Sequence, residues 1–132
     1  MKIIADTNIL VRAIADDDMV QSPIAKAQLD EAELVALTLP ALCELCWVFL
    51  RGYKVSRHEM AETIRVLVSA SNVKVDGQAV EAGLAMLDEG GDFADGVIAH
   101  DGQWLGGDTF VSFDRDAIGL LQKHGQAAII PA

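Results

Sequence analysis

Several acidic residues in this chain stand where a carboxylate can be put to chemical use. Asp6 closes the apolar run Ile3-Ile4-Ala5. Glu44 is the only carboxylate in an otherwise apolar stretch from Leu39 to Leu50. Asp92 and Asp95 open a segment of helical spacing, and Asp114 and Asp116 follow the run Thr109-Phe110-Val111-Ser112-Phe113. If the two strand-like runs are parallel neighbours, Asp6 and Asp114 share the sheet edge where ligands collect in open α/β folds. Two unit charges about 4 Å apart repel by roughly 4 kcal/mol at an effective dielectric near 20. Converging carboxylates therefore need a cation. An oxygen-only donor set suits Mg²⁺ or Mn²⁺. Such a site activates water and steadies a phosphorus centre during in-line displacement.

The individual carboxylates also have structural readings. An unpaired buried Glu44 would be costly, so it pairs with a cation, reaches an exposed edge, or ligates a metal. The metal ligand is the sharper reading. Asp92 has the position of a helix N-cap and Asp95 that of a first-turn acid, both favourable to the helix dipole. Spacing alone leaves structural and functional readings open for this pair. Asp92 is taken mainly as a cap.

Alternating strands and helices must position these groups. The first strand precedes a helix from Asn8 to about Ala15, which ends in the acidic loop Asp16-Asp17-Asp18, read as solvated. Ser22-Pro23 reads as the cap and first position of the next helix. Leu34–Leu37 reads as a strand. Pro40–Arg51 reads as a helix apolar nearly all round, hence buried on most sides. Ser56-Arg57-His58-Glu59 matches a capping box. Val73-Lys74-Val75 is a brief strand, and Val80, Gly83, Leu84 and Leu87 mark a helix ended by Gly90-Gly91. A helix from Ile118 to His124 and a strand from Ala127 to Ile130 complete the series. The pattern predicts one α/β domain, 1–132, with a central parallel sheet of four to five strands flanked by helices in three layers.

Composition narrows the function classes. Twenty acidic against ten basic residues give a formal charge of −10. That disfavours sequence-independent nucleic-acid binding through phosphate neutralisation and suits a metal site or a basic protein partner. The start of the chain has no signal-peptide pattern, and the most apolar run is too short to span a bilayer. With only two cysteines, three apart, a reduced cytoplasmic protein is expected. Cys43 and Cys46 lie inside an apolar helix, unlike a redox pair at a helix start. The glycine pairs at Gly90 and Gly106 lack the Lys-Ser/Thr of a phosphate loop. His58, His100 and His124 are scattered, and Trp47 and Trp104 read as packing anchors. The basic run Arg51–His58 reads as a solvated turn or the flank of a nucleic-acid backbone, with Tyr53 as a candidate stacking surface.

The pieces Ile4-Ala5-Asp6-Thr7-Asn8, Leu42-Cys43-Glu44-Leu45, Asp92–Ala99 and Ser112-Phe113-Asp114-Arg115-Asp116 fall in one order across the chain. In that order the sequence resembles the PIN-domain family, and in particular the VapC-type ribonuclease toxins of toxin–antitoxin pairs. The resemblance implies a Mg²⁺- or Mn²⁺-dependent endoribonuclease acting on RNA. It places Asp6, Glu44 and Asp95 at the family's first three acidic positions. Asp114 and Asp116 both fit the fourth, with Asp114 ranked first. It gives Asp6, Asp95 and Asp114 the metal, Glu44 the attacking water, and Thr7, Asn8 and Ser112 hydrogen bonds to the ligating carboxylates. It further implies a homodimer, a cognate antitoxin as partner and no membrane, with the Leu39–Leu50 helix suited to an interface. The rival readings are a PIN module that only binds RNA or protein, and an aspartyl-phosphate phosphotransfer protein. For the latter, a mid-chain Asp and a late Lys are not convincingly placed.

Overall fold

Strand β1, Lys2–Ile4, ends as Ala5 donates its N–H to the Ala36 carbonyl. Asp6 stays extended (φ −71°, ψ 154°) and helix α1, Thr7–Ala15, begins. These features belong to a computed structural model that describes residues 1–132. The chain divides into two compact units, Met1–Asp76 and Gly77–Ala132.

In the first unit, α2 (Gln21–Glu31), β2 (Leu34–Ala36), α3 (Leu39–Arg51), α4 (Arg57–Ser69) and β3 (Val73–Lys74) follow α1. The three strands form a parallel sheet in the order β1-β2-β3, with Ile3 opposite Val35 and Val35 opposite Val73. Parallel pairing sends the chain from the same sheet edge into α1 and, through Thr38, into α3. Thr38 caps α3 by accepting the Ala41 N–H, and Ser56 caps α4 by accepting the Glu59 N–H. Leu10, Val35, Leu42, Leu45, Met60 and Ile64 are fully buried and fill this unit's core.

The second unit holds α5 (Gly77–Asp88), α6 (Phe93–Trp104), β4 (Phe110–Val111), α7 (Arg115–Lys123) and β5 (Ala128–Ile129). β4 and β5 pair in parallel, Phe110 opposite Ala128. Met86, Ala99, Ala117, Ile118, Leu121 and Ala128 form its buried core, with Phe110 and Leu120 packed against them. α5 and α6 approach closely because two residues lack side chains. A Cβ on Gly83 would strike the Phe93 ring, and one on Gly96 would strike the Ala82 carbonyl and lie 2.9 Å from the Gly83 Cα.

The α/β class and the parallel pairing agree with the sequence expectation, but the single sheet of four to five strands does not. The strands form a sheet of three in the first unit and a pair in the second. β4 is also shorter than Thr109–Phe113, because the Ser112 hydroxyl turns to accept the Asp114 N–H and starts α7 at Arg115. α7 thus begins before Ile118, the first residue expected of it. α2 starts at Gln21 instead of after a Ser22 cap. Asp18 Oδ1 accepts the N–H groups of Val20 and Gln21, while Ser22 is buried with its hydroxyl accepting the Asp18 N–H. No helix is long and apolar enough to cross a membrane.

α3 is the clearest departure. It is buried through Ala41, Leu42, Leu45, Cys46 and Phe49, yet Pro40, Glu44, Trp47 and Arg51 are exposed. Successive steps of four, three and four residues put these on one stripe of the helix. Apolar composition all round did not mean burial all round.

Candidate metal centre

α6 begins where Gly90, in the left-handed region at φ +87°, and Gly91 turn the chain out of α5. Asp92 takes the extended N-cap conformation (φ −101°, ψ 133°), but its side chain makes no cap hydrogen bond. Asp95 lies three residues on, in the first turn and on the same helix face. Asp114 comes from the N-cap of α7, three residues past the end of β4. Its Oδ1 accepts the N–H groups of Asp116 at 3.0 Å and Ala117 at 3.2 Å, which caps α7. Carboxylate oxygens of Asp92, Asp95 and Asp114 lie within 4.8 Å of one another.

The electrostatics of this cluster are unfavourable for three anions alone. Asp95 is half-buried, and its pKa is raised above the usual carboxylate range, first by burial and then by the negative charges of Asp92 and Asp114. Asp92 and Asp114 are exposed. Capping uses only part of Asp114's acceptor capacity, since a carboxylate offers two oxygens and about four lone-pair directions. The donor set is entirely oxygen, supplied by three carboxylates. It therefore fits a hard divalent cation of the Mg²⁺ or Mn²⁺ type.

Other sequence-singled residues take distinct places. Asp116 sits exposed in the first turn of α7 and is not among the three clustered carboxylates, which include Asp114. Ser112 contacts Asp114 through the backbone N–H, steadying the turn that carries the carboxylate. In the first unit, Asp6 is exposed at the N-cap of α1 and, like Asp92, makes no side-chain cap hydrogen bond. Thr7 is buried at the first position of α1, and Asn8 is exposed. Glu44 stands on the exposed stripe of α3, so no buried unpaired carboxylate has to be explained.

Asp92 is the residue that sequence reasoning assigned mainly to capping. An N-cap position gave the side chain a sufficient structural reason, which hid its approach to Asp114. The available signal was the three-residue spacing to Asp95, which puts both carboxylates on one face.

The sequence matches the PIN domain family over residues 3–120, and the chain belongs to that family. No curated protein matches it. The PIN domain is generally a nuclease fold, and PIN domains typically use a divalent metal. The Asp92, Asp95 and Asp114 carboxylates form a group that could hold one.

Proposed function

We propose that this protein is a Mg²⁺- or Mn²⁺-dependent endoribonuclease, the toxin of a toxin–antitoxin pair, working in the cytoplasm as a homodimer restrained by a cognate antitoxin. The observation that supports the nuclease chemistry best is the raised pKa of Asp95 between Asp92 and Asp114. Burial is the first cause of that shift and the neighbouring carboxylates the second, so a cation placed among the three would favour the ionised form of Asp95. The toxin role and the antitoxin rest on the resemblance to VapC-type proteins.

In this reading Asp95 and Asp114, with Asp92 beside them, hold the cation, the family resemblance adds Asp6, and Asp116 stays outside. The bound ion supplies Lewis-acid stabilisation of the phosphate and a more acidic water. Glu44 is the proton acceptor that orients the attacking water. An exposed Glu on a helix otherwise anchored by Leu42, Leu45 and Phe49 can do this without a large desolvation cost. Ser112 fixes the backbone of Asp114, and Thr7 and Asn8 are assigned to support Asp6. The acidic site attracts basic side chains of an antitoxin tail.

The test is cleavage of total RNA by purified protein. Cleavage should need Mg²⁺ or Mn²⁺, stop with EDTA, and disappear in Asp6→Asn with circular dichroism unchanged. Cleavage that survives both treatments contradicts the proposal.

A further inference from the structure

The aromatic side chains of the first unit are arranged opposite to the sequence expectation. Tyr53 is occupied: its ring stacks on buried Phe49 with centroids 4.9 Å apart, and its hydroxyl donates to Asp17 Oδ2 at 2.7 Å. Trp47, expected to be a packing anchor, is instead 61% exposed. The Arg51 guanidinium carbon lies 5.8 Å from its ring centroid. Trp47 is one helical turn from Glu44, and both share the exposed stripe of α3 with Arg51.

Charge continues the stripe. Although the chain carries 20 acidic residues, none falls between Glu44 and Glu59, while Arg51, Lys54, Arg57 and His58 do. Arg51, Lys54 and Arg57 are exposed. An indole face with a planar cation over it, followed by a cationic turn, has the composition of a single-strand nucleic-acid track: bases stack, phosphates pair. A basic antitoxin segment would be repelled by the same turn.

We propose that the exposed stripe of α3 and the turn that follows it bind single-stranded RNA, with Trp47 stacking a base and Arg51 and Lys54 pairing with phosphates beside Glu44. This inference rests on the nuclease reading and adds the path by which the strand reaches the carboxylate. Trp47 is a substrate-positioning residue. Its removal weakens RNA binding in the absence of any metal, whereas loss of a purely structural side chain would change folding instead.

The experiment is fluorescence anisotropy with a labelled, mixed-sequence single-stranded RNA of about 12 nucleotides in EDTA, where no cleavage occurs. Trp47→Ala is expected to weaken binding roughly tenfold, and Trp47→Phe to retain most of it. Arg51→Ala combined with Lys54→Ala should reduce the salt-dependence slope by about 1.4. Trp104→Ala, which removes the exposed indole at the end of α6, should change nothing. Wild-type affinity in Trp47→Ala, or equal loss in Trp104→Ala, overturns the proposal. So does an unchanged RNA affinity combined with lost binding of a basic peptide, which would assign the stripe to a protein. Metal-dependent cleavage by the wild type separates the two readings. If it persists while Trp47→Ala binds and cuts normally, only this inference fails. If the wild type neither binds nor cuts RNA, the nuclease reading fails with it.

Discussion

Two acidic triplets in this molecule have the same composition and opposite surroundings. Asp16, Asp17 and Asp18 form a continuous run, yet each is answered by the fold. Asp16 pairs with Lys26 at 2.8 Å, and Asp17 pairs with Arg12 at 3.2 Å and accepts from Tyr53. Asp18 accepts two backbone N–H groups at the start of α2. The pKa values of Asp17 and Asp18 are lowered, by the Tyr53 hydroxyl and by the Gln21 N–H respectively as the leading causes. Asp92, Asp95 and Asp114 come from separate positions in the sequence and meet in space, and the pKa of Asp95 is raised, first by burial and then by its two acidic neighbours. Density of acids in the sequence therefore marks the structural triplet. The candidate site is marked by carboxylates brought together in space, one of them half-buried with a raised pKa.

The sharpest way to break this comparison is to remove one carboxylate from each triplet. Asp95→Asn should reduce metal-dependent RNA cleavage roughly 1000-fold, because ligand loss removes several kcal/mol of charge stabilisation. Asp17→Asn should leave the cleavage rate within about twofold, since surface changes away from a site cost little. Equal losses in the two variants would remove the distinction.

Next in size is the packing that carries α6. Gly96→Ala drives a methyl into the backbone of Ala82. It should destabilise the protein by about 1–3 kcal/mol in urea unfolding, whereas Gly102→Ala, where nothing lies within 4 Å, should not.

The pH dependence of metal-free stability gives opposite signs for the two regions. Asp95 has a folded-state pKa above its ordinary value of 3.8. Its favourable contribution is complete below that value and is lost as pH rises through the raised one. Asp17 and Asp18 have folded values below 3.8. Their contribution is present above 3.8 and is lost as pH falls through the lowered values. In EDTA, Asp95→Asn should flatten the decline of Tm on the rising side, and Asp17→Asn should flatten the acid limb. The smallest effect expected is from Tyr53→Phe, which removes one exposed hydrogen bond and should lower Tm by no more than about 2 °C.

Much of the scaffold was legible because it is written in local chemistry. The alternation of strand and helix, the Ser56 cap before Glu59, and the break at Gly90 each depend on neighbouring residues. Asp95 on α6 and Asp114 after β4 were legible as candidates for the same reason. Other features depend on contacts made across distance. The division of the strands into three and two follows from pairing partners that no local pattern names. The exposure of Trp47 follows from which face of α3 meets the core, and an apolar sequence on all sides hides that choice. Asp92 was obscured by competition, since a correct N-cap position supplied a reason before its distance to Asp114 was known.

Isothermal titration of the metal-free protein with Mn²⁺ at pH 7 tests most directly whether the second triplet is a cation site. The account predicts saturable binding to the wild type, at least tenfold weaker binding to Asp95→Asn, and wild-type binding to Asp17→Asn. Binding that is unaffected by Asp95→Asn, or lost equally in Asp17→Asn, would contradict it.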